Sequence, residues 1–298
     1  MTSVAVIAHT AKELGGGLSE LRRVLAEEGV TDPLWREVTK SKQAPRSTRE
    51  VLERGADLIF VWGGDGTVQR CADALAGTGA TLAVLPAGTA NLLATNLGVP
   101  TDLKAAVQIG LHGERRALDL GVMNGEHFAV MAGVGLDALM IRDAPARSKD
   151  RFGRMAYIVA GAKHLGAKPM RVRIRVNDAK WFKGKASCIL FGNVGKVLGG
   201  LTVFQDARPD DGILEAGVLT AKGFGQWARV AGRTAMGRPD RSPFIRTTRG
   251  GGFAIKLDRK VPYELDGSDR PPRKRFSVSV APSAVIVAVP EAPDGHER

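Results

Sequence analysis

Apolar and polar positions follow two different rhythms along this chain. Residues 3–8 form a nearly unbroken apolar run, the pattern of a strand buried on both faces. After Gly15, Gly16 and Gly17, the apolar residues Leu18, Leu21, Val24 and Leu25 recur at helical spacing, and Gly29 ends that helix. A short strand over 35–39 and a helix over 47–54, closed by Gly55, follow. Residues 57–62 are again a near-continuous apolar strand, which runs directly into Gly63-Gly64-Asp65-Gly66-Thr67. A helix over 68–76, a strand over 81–85 and a helix over 89–97 before Gly98 complete the series. Repeated strand–helix units with continuous apolar strands predict a parallel sheet covered on both faces.

Further on the period drops to two. Met170, Val172, Ile174 and Val176 are apolar while Arg171, Arg173 and Arg175 lie between them, so one face meets a core and the other meets solvent. Residues 276–280 alternate in the same way. Short strands separated by Gly, Asp and Pro turns predict an antiparallel sheet or sandwich, with helices expected over 154–165 and 224–236. The last eight residues, from Glu291, are a polar tail.

Composition adds exclusions. With 44% hydrophobic and 25% charged residues over 298 positions, the chain is globular and long enough for two domains. No apolar run approaches a membrane span, and no basic-then-apolar leader opens the sequence, so a soluble cytosolic protein is expected. Cys71 and Cys188 are the only cysteines, without a CxxC or a histidine cluster, which argues against a disulfide framework and a structural zinc site.

Charge divides the chain. Residues 1–123 hold 13 Lys+Arg against 14 Asp+Glu, whereas residues 124–298 hold 30 against 17. The whole net charge of +12 therefore comes from the second part, and ten basic residues fall within 142–175 alone. This asymmetry supports a boundary near residue 123, giving domains over 1–123 and 124–290. It also points to an anionic partner, either nucleic acid or an acidic membrane surface, against a plain solubilising face. Aromatic residues are sparse in the basic stretch, which weakens any reading based on base stacking.

The chemistry concentrates in two glycine turns. Gly63-Gly64-Asp65-Gly66-Thr67 joins an apolar strand to a helix. Glycines let backbone approach a polyanion, and a helix N-terminus offers unpaired N–H groups, so the turn is a phosphate cradle where open α/β sheets bind ligands. No Lys-Ser/Thr follows, so it is not a P-loop. Asp65 would repel phosphate acting alone, so it works through Mg²⁺, orients an acceptor hydroxyl, or merely caps a helix. A second strand–helix turn, Leu85-Pro86-Ala87-Gly88-Thr89-Ala90-Asn91, places Thr89 and Asn91 beside the first.

Both turns, at this separation, resemble the diacylglycerol kinase catalytic domain superfamily, and within it the soluble bacterial lipid kinases; sphingosine kinases are related, NAD kinases and phosphofructokinases more distantly. Further matches keep family order: residues 132–138, Gly192-Asn193, Gly199-Gly200, residues 207–214 and Leu265-Asp266-Gly267. The resemblance implies an N-terminal α/β nucleotide-binding domain, like that of NAD kinases and phosphofructokinases, and a C-terminal β-rich sandwich domain. It implies ATP contacts from Thr39, Gly63, Gly64, Asp65, Gly66, Thr67, Gly88, Thr89 and Asn91. It also implies Mg²⁺ held by the Asp211 carboxylate and the carbonyls of Arg208 and Ile213, and transfer to a lipid hydroxyl.

Four departures stand out. Leu92 replaces an aspartate expected after the second turn, and Ser268 replaces a glutamate expected after Asp266-Gly267, with Asp269 next. Gln69-Arg70 replaces Asn-Glu, and the first strand ends at His9-Thr10 rather than Asn-Pro. The base is then expected from Asp65 or from the Ser268-Asp269 turn, with Asp137 ordering the cleft and His9 and His127 ordinary polar residues. The expected partner is a lipid substrate at an anionic membrane surface, with Arg171, Arg173 and Arg175 as a docking strip, peripheral membrane association, no nucleic acid, and room for a homodimer. An NAD kinase-like enzyme and a nucleotide-binding lipid sensor without transfer are the competing readings.

Overall fold

The computed structural model describes residues 3–135, 168–197, 201–235 and 242–291. They group into two compact units, one containing the chain to Leu118 and again from Ser283, the other running from Asp119 to Pro282. The expected helix over 154–165, the basic stretch up to residue 167, Asp137, Gly199, Gly200 and most of the polar tail lie outside the described residues.

In the first unit, β1 (Val4–His9), β2 (Leu34–Val38), β3 (Leu58–Gly63) and β4 (Thr81–Pro86) form a parallel sheet in the order β2-β1-β3-β4. The end of the last strand, β16 (Ser268–Val289), joins it in parallel, with Ile286 opposite Thr81 and Val287 opposite Leu82. Every residue of β3 and β4 is buried, as continuous apolar runs require of strands covered on both faces. The return of residues 283–289 to this sheet is invisible to a boundary drawn from charge, because strand pairing is not a local property.

The covering helices are α1 (Gly17–Glu27), α2 (Ala44–Glu53), α3 (Asp65–Leu75), α4 (Leu92–Leu97) and α5 (Leu103–His112). Helix α5 was not anticipated from the apolar pattern. The Asp102 side chain caps it by accepting from the Ala105 N–H at 2.8 Å, and Gly110 lets it press on the sheet, since a Cβ there would lie 2.1 Å from the Phe60 ring. Two boundaries differ from the sequence reading. Helix α3 starts at Asp65 rather than 68, because its first turn carries no apolar periodicity to read. Helix α4 starts at Leu92 rather than 89, because Asn91 sits in the left-handed region (φ 47°), where a right-handed helix cannot pass.

The second unit is antiparallel. Its strands are the end of β5 (Glu114–Met123), β6 (Glu126–Phe128), β7 (Met131–Gly135), β8 (Met170–Val176), β9 (Ala179–Ala186), β10 (Cys188–Gly192), β11 (Lys196–Val197), β12 (Leu201–Thr202), β13 (Leu214–Leu219), β14 (Ile245–Gly250), β15 (Gly252–Leu265) and most of β16, with α6 (Gly223–Ala235) as a helix between them. The main order is β14-β13-β10-β7-β15; β8 attaches to the first half of β15 and β9 to the far side of β8, while β16 lies along β15. Met170, Val172 and Ile174 enter the core with Phe128, Phe191, Phe253, Tyr263 and Phe276, as the alternation predicts. Tyr263 and Phe276 meet edge-on at 5.3 Å between centroids.

β15 and β16 are far longer than the short strands expected, at 14 and 22 residues. Their hairpin turns on Asp266-Gly267 with φ of 44° and 76°, the paired left-handed conformations of a type I′ turn. The result is an N-terminal α/β unit with a parallel sheet and a C-terminal β-sandwich, the fold class the sequence implied.

Candidate active site

In the first unit, β3 and β4 deliver the two glycine turns side by side. The Ala87 N–H donates to the Gly63 carbonyl at 3.1 Å, knitting one turn to the other. Gly64 and Gly88 lie back to back: a Cβ on Gly88 would fall 2.4 Å from the Gly64 Cα. Glycine is therefore required at position 88 by contact between the loops, while a Cβ on Gly64 would be tight at 3.2 Å from the Gly88 Cα. Gly64 is extended at the N-cap of α3, and its carbonyl accepts from the Thr67 and Val68 N–H groups at 2.9 and 3.1 Å, so the helix opens on Asp65 and Gly66.

Asn91 staples the second turn. Its side-chain oxygen accepts from the Gly88 N–H at 2.8 Å, while its Nδ2 donates to the carbonyls of Pro86 and Gly88 at 2.9 and 2.8 Å. Its amide is thus committed to the loop backbone, holding Thr89 exposed at the tip.

Asp65 does more than cap a turn. Its carboxylate accepts from the Leu92 N–H at 2.5 Å, at the start of α4, so it bridges from the first turn to the second. Burial pushes its carboxyl above the usual carboxylate range; the backbone N–H groups of Leu92, Asp65 itself, Asn91 and Leu93 pull it back down, and burial wins. Leu92, where an aspartate was expected, is buried, and this site loses one carboxylate there.

Thr67 is buried, and its Oγ1 lies 2.9 Å from the Ser41 Oγ. Ser41 belongs to a 3₁₀ turn over Ser41–Gln43, whose Gln43 Oε1 accepts from the N–H groups of Thr39 and Lys40, both at 3.0 Å, and from the Thr39 hydroxyl at 3.2 Å. Thr39 thus reaches the glycine turns through Gln43 and Ser41. Neither was read as functional; no sequence signal marks them, because Lys40 has no acceptor with which to complete a capping box to Gln43. His9, at the end of β1, accepts from the Ala11 N–H through Nδ1, and burial lowers its pKa, keeping the ring neutral.

In the second unit, Asp119 anchors the acidic loop. Its Oδ2 accepts from the Gly212 N–H at 2.6 Å, and its own N–H donates to the Pro209 carbonyl at 2.6 Å. Asp211 accepts from the Ile213 N–H at 3.0 Å and pairs with Arg249 at 3.3 Å. Arg249 also meets Glu215 at 3.4 Å. Burial raises the Glu215 pKa, Arg249 opposes it, and Asp206 and Asp211 add to the rise. A cavity of about 530 Å³ opens here, lined by Asp206, Arg208, Asp211 and Arg249.

Ser268 and Asp269 open β16, with Asp269 exposed and directly opposite the buried Glu264. Glu264 Oε2 accepts from the Gly267 N–H at 2.8 Å, so this carboxylate braces the turn that presents Ser268 and Asp269. Asp266 is a second anchor: its oxygens accept from the N–H groups of Ala129, Val130 and Met131 at 2.7, 3.0 and 2.8 Å. Asn193 holds the other side of that segment, donating to the carbonyls of Asp119 and Ala129 at 2.8 and 2.9 Å. The sequence motifs contained Asp266 and Asn193 without revealing their task, and Glu264 lay in none of them. Asp65 belongs to the first unit, Asp269 and Asp211 to the second.

Comparison with known proteins agrees over nearly the whole length. The diacylglycerol kinase catalytic domain matches residues 8–123, and the YegS C-terminal NAD kinase beta sandwich-like domain matches residues 130–289. A protein of Cronobacter sakazakii named "Probable lipid kinase YegS-like" is 30% identical over 275 residues, covering 90% of this chain and 89% of that one. The diacylglycerol kinase of Bacillus subtilis is 30% identical over 234 residues, 77% of each chain. Among solved structures, a diacylglycerol kinase from Bacillus anthracis superposes with a TM-score of 0.79 at 22% identity, covering 97% of both chains. An NAD kinase from Archaeoglobus fulgidus shares the fold more loosely, with a TM-score of 0.53 at 11% identity, covering 97% of this chain and 94% of its own. With glycine turns, anchoring aspartates and both domains accounted for, this chain belongs to the family of YegS-like and diacylglycerol kinase-type lipid kinases.

Proposed function

We propose that the protein is an ATP- and Mg²⁺-dependent kinase that phosphorylates the hydroxyl of diacylglycerol or a related lipid alcohol. The observation that carries this reading is the knitted pair of turns, with Gly64 against Gly88 and Asp65 bonded to Leu92. Phosphoryl transfer is dominated by positioning and charge neutralisation. The Gly66 amide at the start of α3 supplies an anion seat, Thr67 and Thr39 flank it, and Asn91 fixes the second turn.

The donor set around Asp211 fits Mg²⁺. It offers a carboxylate and the Arg208 and Ile213 carbonyls, hard oxygens of the type this ion takes while keeping several waters. Asp206 and Glu215 make the loop electronegative, and Arg249 is the cation now offsetting them. When bound, the ion would neutralise charge on phosphate oxygens. The acceptor oxygen attacks the γ-phosphorus, the bond to the β–γ bridging oxygen breaks, and the hydroxyl proton passes to a carboxylate. Asp65, whose carboxyl burial holds above the usual carboxylate range, and the exposed Asp269 are the two carboxylates offered for that proton, with Ser268 beside the second.

A second reading rests on Leu92: a buried leucine in place of an aspartate favours a sensor that binds nucleotide without transfer. One assay separates the two. The enzyme, γ-labelled ATP and Mg²⁺ are incubated with a total lipid extract in mixed micelles, beside Asp65→Asn. Label entering the organic phase, and lost in the variant, supports the kinase. ATP binding without label in any lipid supports the sensor. A Mg²⁺-dependent rise in melting temperature that Asp211→Asn removes tests the metal loop separately.

A further inference from the structure

The second unit presents a cationic surface that neither its core nor the phosphate-transfer residues require. On β8 the side chains of Arg171, Arg173 and Arg175 are exposed while Val172 and Ile174 are buried. Strand register adds cations from three neighbours. Lys185, Lys183 and Lys180 of β9 lie opposite Arg171, Arg173 and Arg175. Lys256 of β15 lies opposite Arg173 on the other side, and Arg275 of β16 lies opposite Lys256. All eight are exposed.

Directly paired residues share a face of the sheet, so Lys183, Arg173, Lys256 and Arg275 form one row across four strands. At ~4.8 Å per strand the row is about 14 Å long. Among the described residues, none of these four side chains forms an ion pair. The nearby Asp258 accepts from the Arg171 backbone N–H and lies 3.7 Å from Arg259, off the row.

Like charges set directly opposite each other destabilise an antiparallel pair. A surface serving only solubility would interleave both signs. Here three successive cross-strand pairs are all cationic, a repulsion that an anionic partner relieves. The face is a sheet without a stacking platform: Phe182 is buried in the core, and Trp181 packs against it. That composition disfavours single-stranded nucleic acid, which binds through stacked bases. It suits a plane of mobile anionic headgroups, which touches many cations at once.

We propose that this face of β9, β8, β15 and β16 binds the anionic surface of a membrane and holds the enzyme there; that the same membrane supplies its substrate rests on the lipid kinase reading above. Each Lys or Arg near such a surface contributes roughly fivefold in partitioning, so four together are worth a hundredfold or more.

The test compares the full chain with a quadruple variant, Arg173→Gln, Lys183→Gln, Lys256→Gln and Arg275→Gln. A control variant loses the same charge elsewhere through Arg49→Gln, Lys104→Gln, Arg229→Gln and Arg233→Gln. Each is sedimented with phosphatidylcholine vesicles, with and without about a third phosphatidylglycerol, at physiological and high salt. The expected result is binding to the anionic vesicles alone, weakened at least about 100-fold in the face variant, less than tenfold in the control, and released by salt. Equal losses in the two variants, equal binding to neutral vesicles, or unchanged affinity in the face variant would each overturn the proposal. So would a selective loss of duplex DNA binding with vesicle binding intact. Melting temperatures confirm folding, which relief of repulsion should leave unharmed. Turnover on a monomeric short-chain diacylglycerol separates the two claims. The face variant should retain it, whereas absence of turnover in the unmodified chain refutes the kinase reading and leaves the vesicle result standing.

Discussion

Gly88→Ala isolates the contact that holds the two glycine turns together. The added Cβ would sit 2.4 Å from the Gly64 Cα and 2.7 Å from the Asn91 Oδ1. Ordinary contact begins at 3.4 Å, so the two turns must separate by about 1 Å. Neither can yield easily: one is fixed by the Ala87 bond to Gly63, the other by the three bonds of Asn91. Overpacking of this kind costs about 1–3 kcal/mol. A displacement of ~1 Å at a positioning element can cost on the order of 100-fold in transfer rate. Thermal unfolding should show the midpoint falling by several degrees, and calorimetric titration should show ATP affinity falling at least tenfold. Gly232→Ala is the internal contrast. It lies within α6 with nothing within 4 Å of its Cβ position, and removing backbone freedom there should stabilise by about 0.5–1 kcal/mol. A Gly88→Ala protein with unchanged midpoint and ATP affinity would refute the argument that the loops are held by glycine contact.

Asp65 carries a pH signature. Its native pKa is raised, so its contribution to stability is complete below the ordinary carboxylate value of 3.8 and is lost as pH rises through the higher native value. Asp65→Asn keeps an acceptor for the Leu92 N–H, so it should be no less stable at neutral pH, lose part of the pH dependence above the ordinary carboxylate range, and lose transfer activity; marked destabilisation with full turnover would contradict this. Asp266→Ala strips three backbone N–H groups of their acceptor and should destabilise the second unit by about 3 kcal/mol or more, read by denaturant titration. Burial pushes the Cys71 thiol up to about 12, and Cys188 is buried too, so neither should react with a thiol reagent at pH 8 until the chain is unfolded.

Much of this molecule was legible in its sequence because the signals are local. Continuous apolar runs marked β1, β3 and β4; strict alternation marked β8 and assigned its buried and exposed sides residue by residue. The glycine turns were legible as strand–turn–helix junctions because strand, glycine and helix start follow within a few residues. The start of α4 was misread because Asn91 is held left-handed by bonds to its own loop, a conformation a helix-forming pattern does not reveal.

What only the tertiary structure decided is which distant groups meet. Asp65 reaches Leu92, Asp119 ties down Gly212, Asp266 gathers residues 129–131, and residues 283–289 return to the first sheet. The sequence offered three arginines in a strip; pairing register turned them into a face by adding five cations from three other strands. Local pattern is set by each residue's own preference for water or core. Register and side-chain reach depend on the packing of the whole chain, where a one-residue slip would send every one of those cations to the other side.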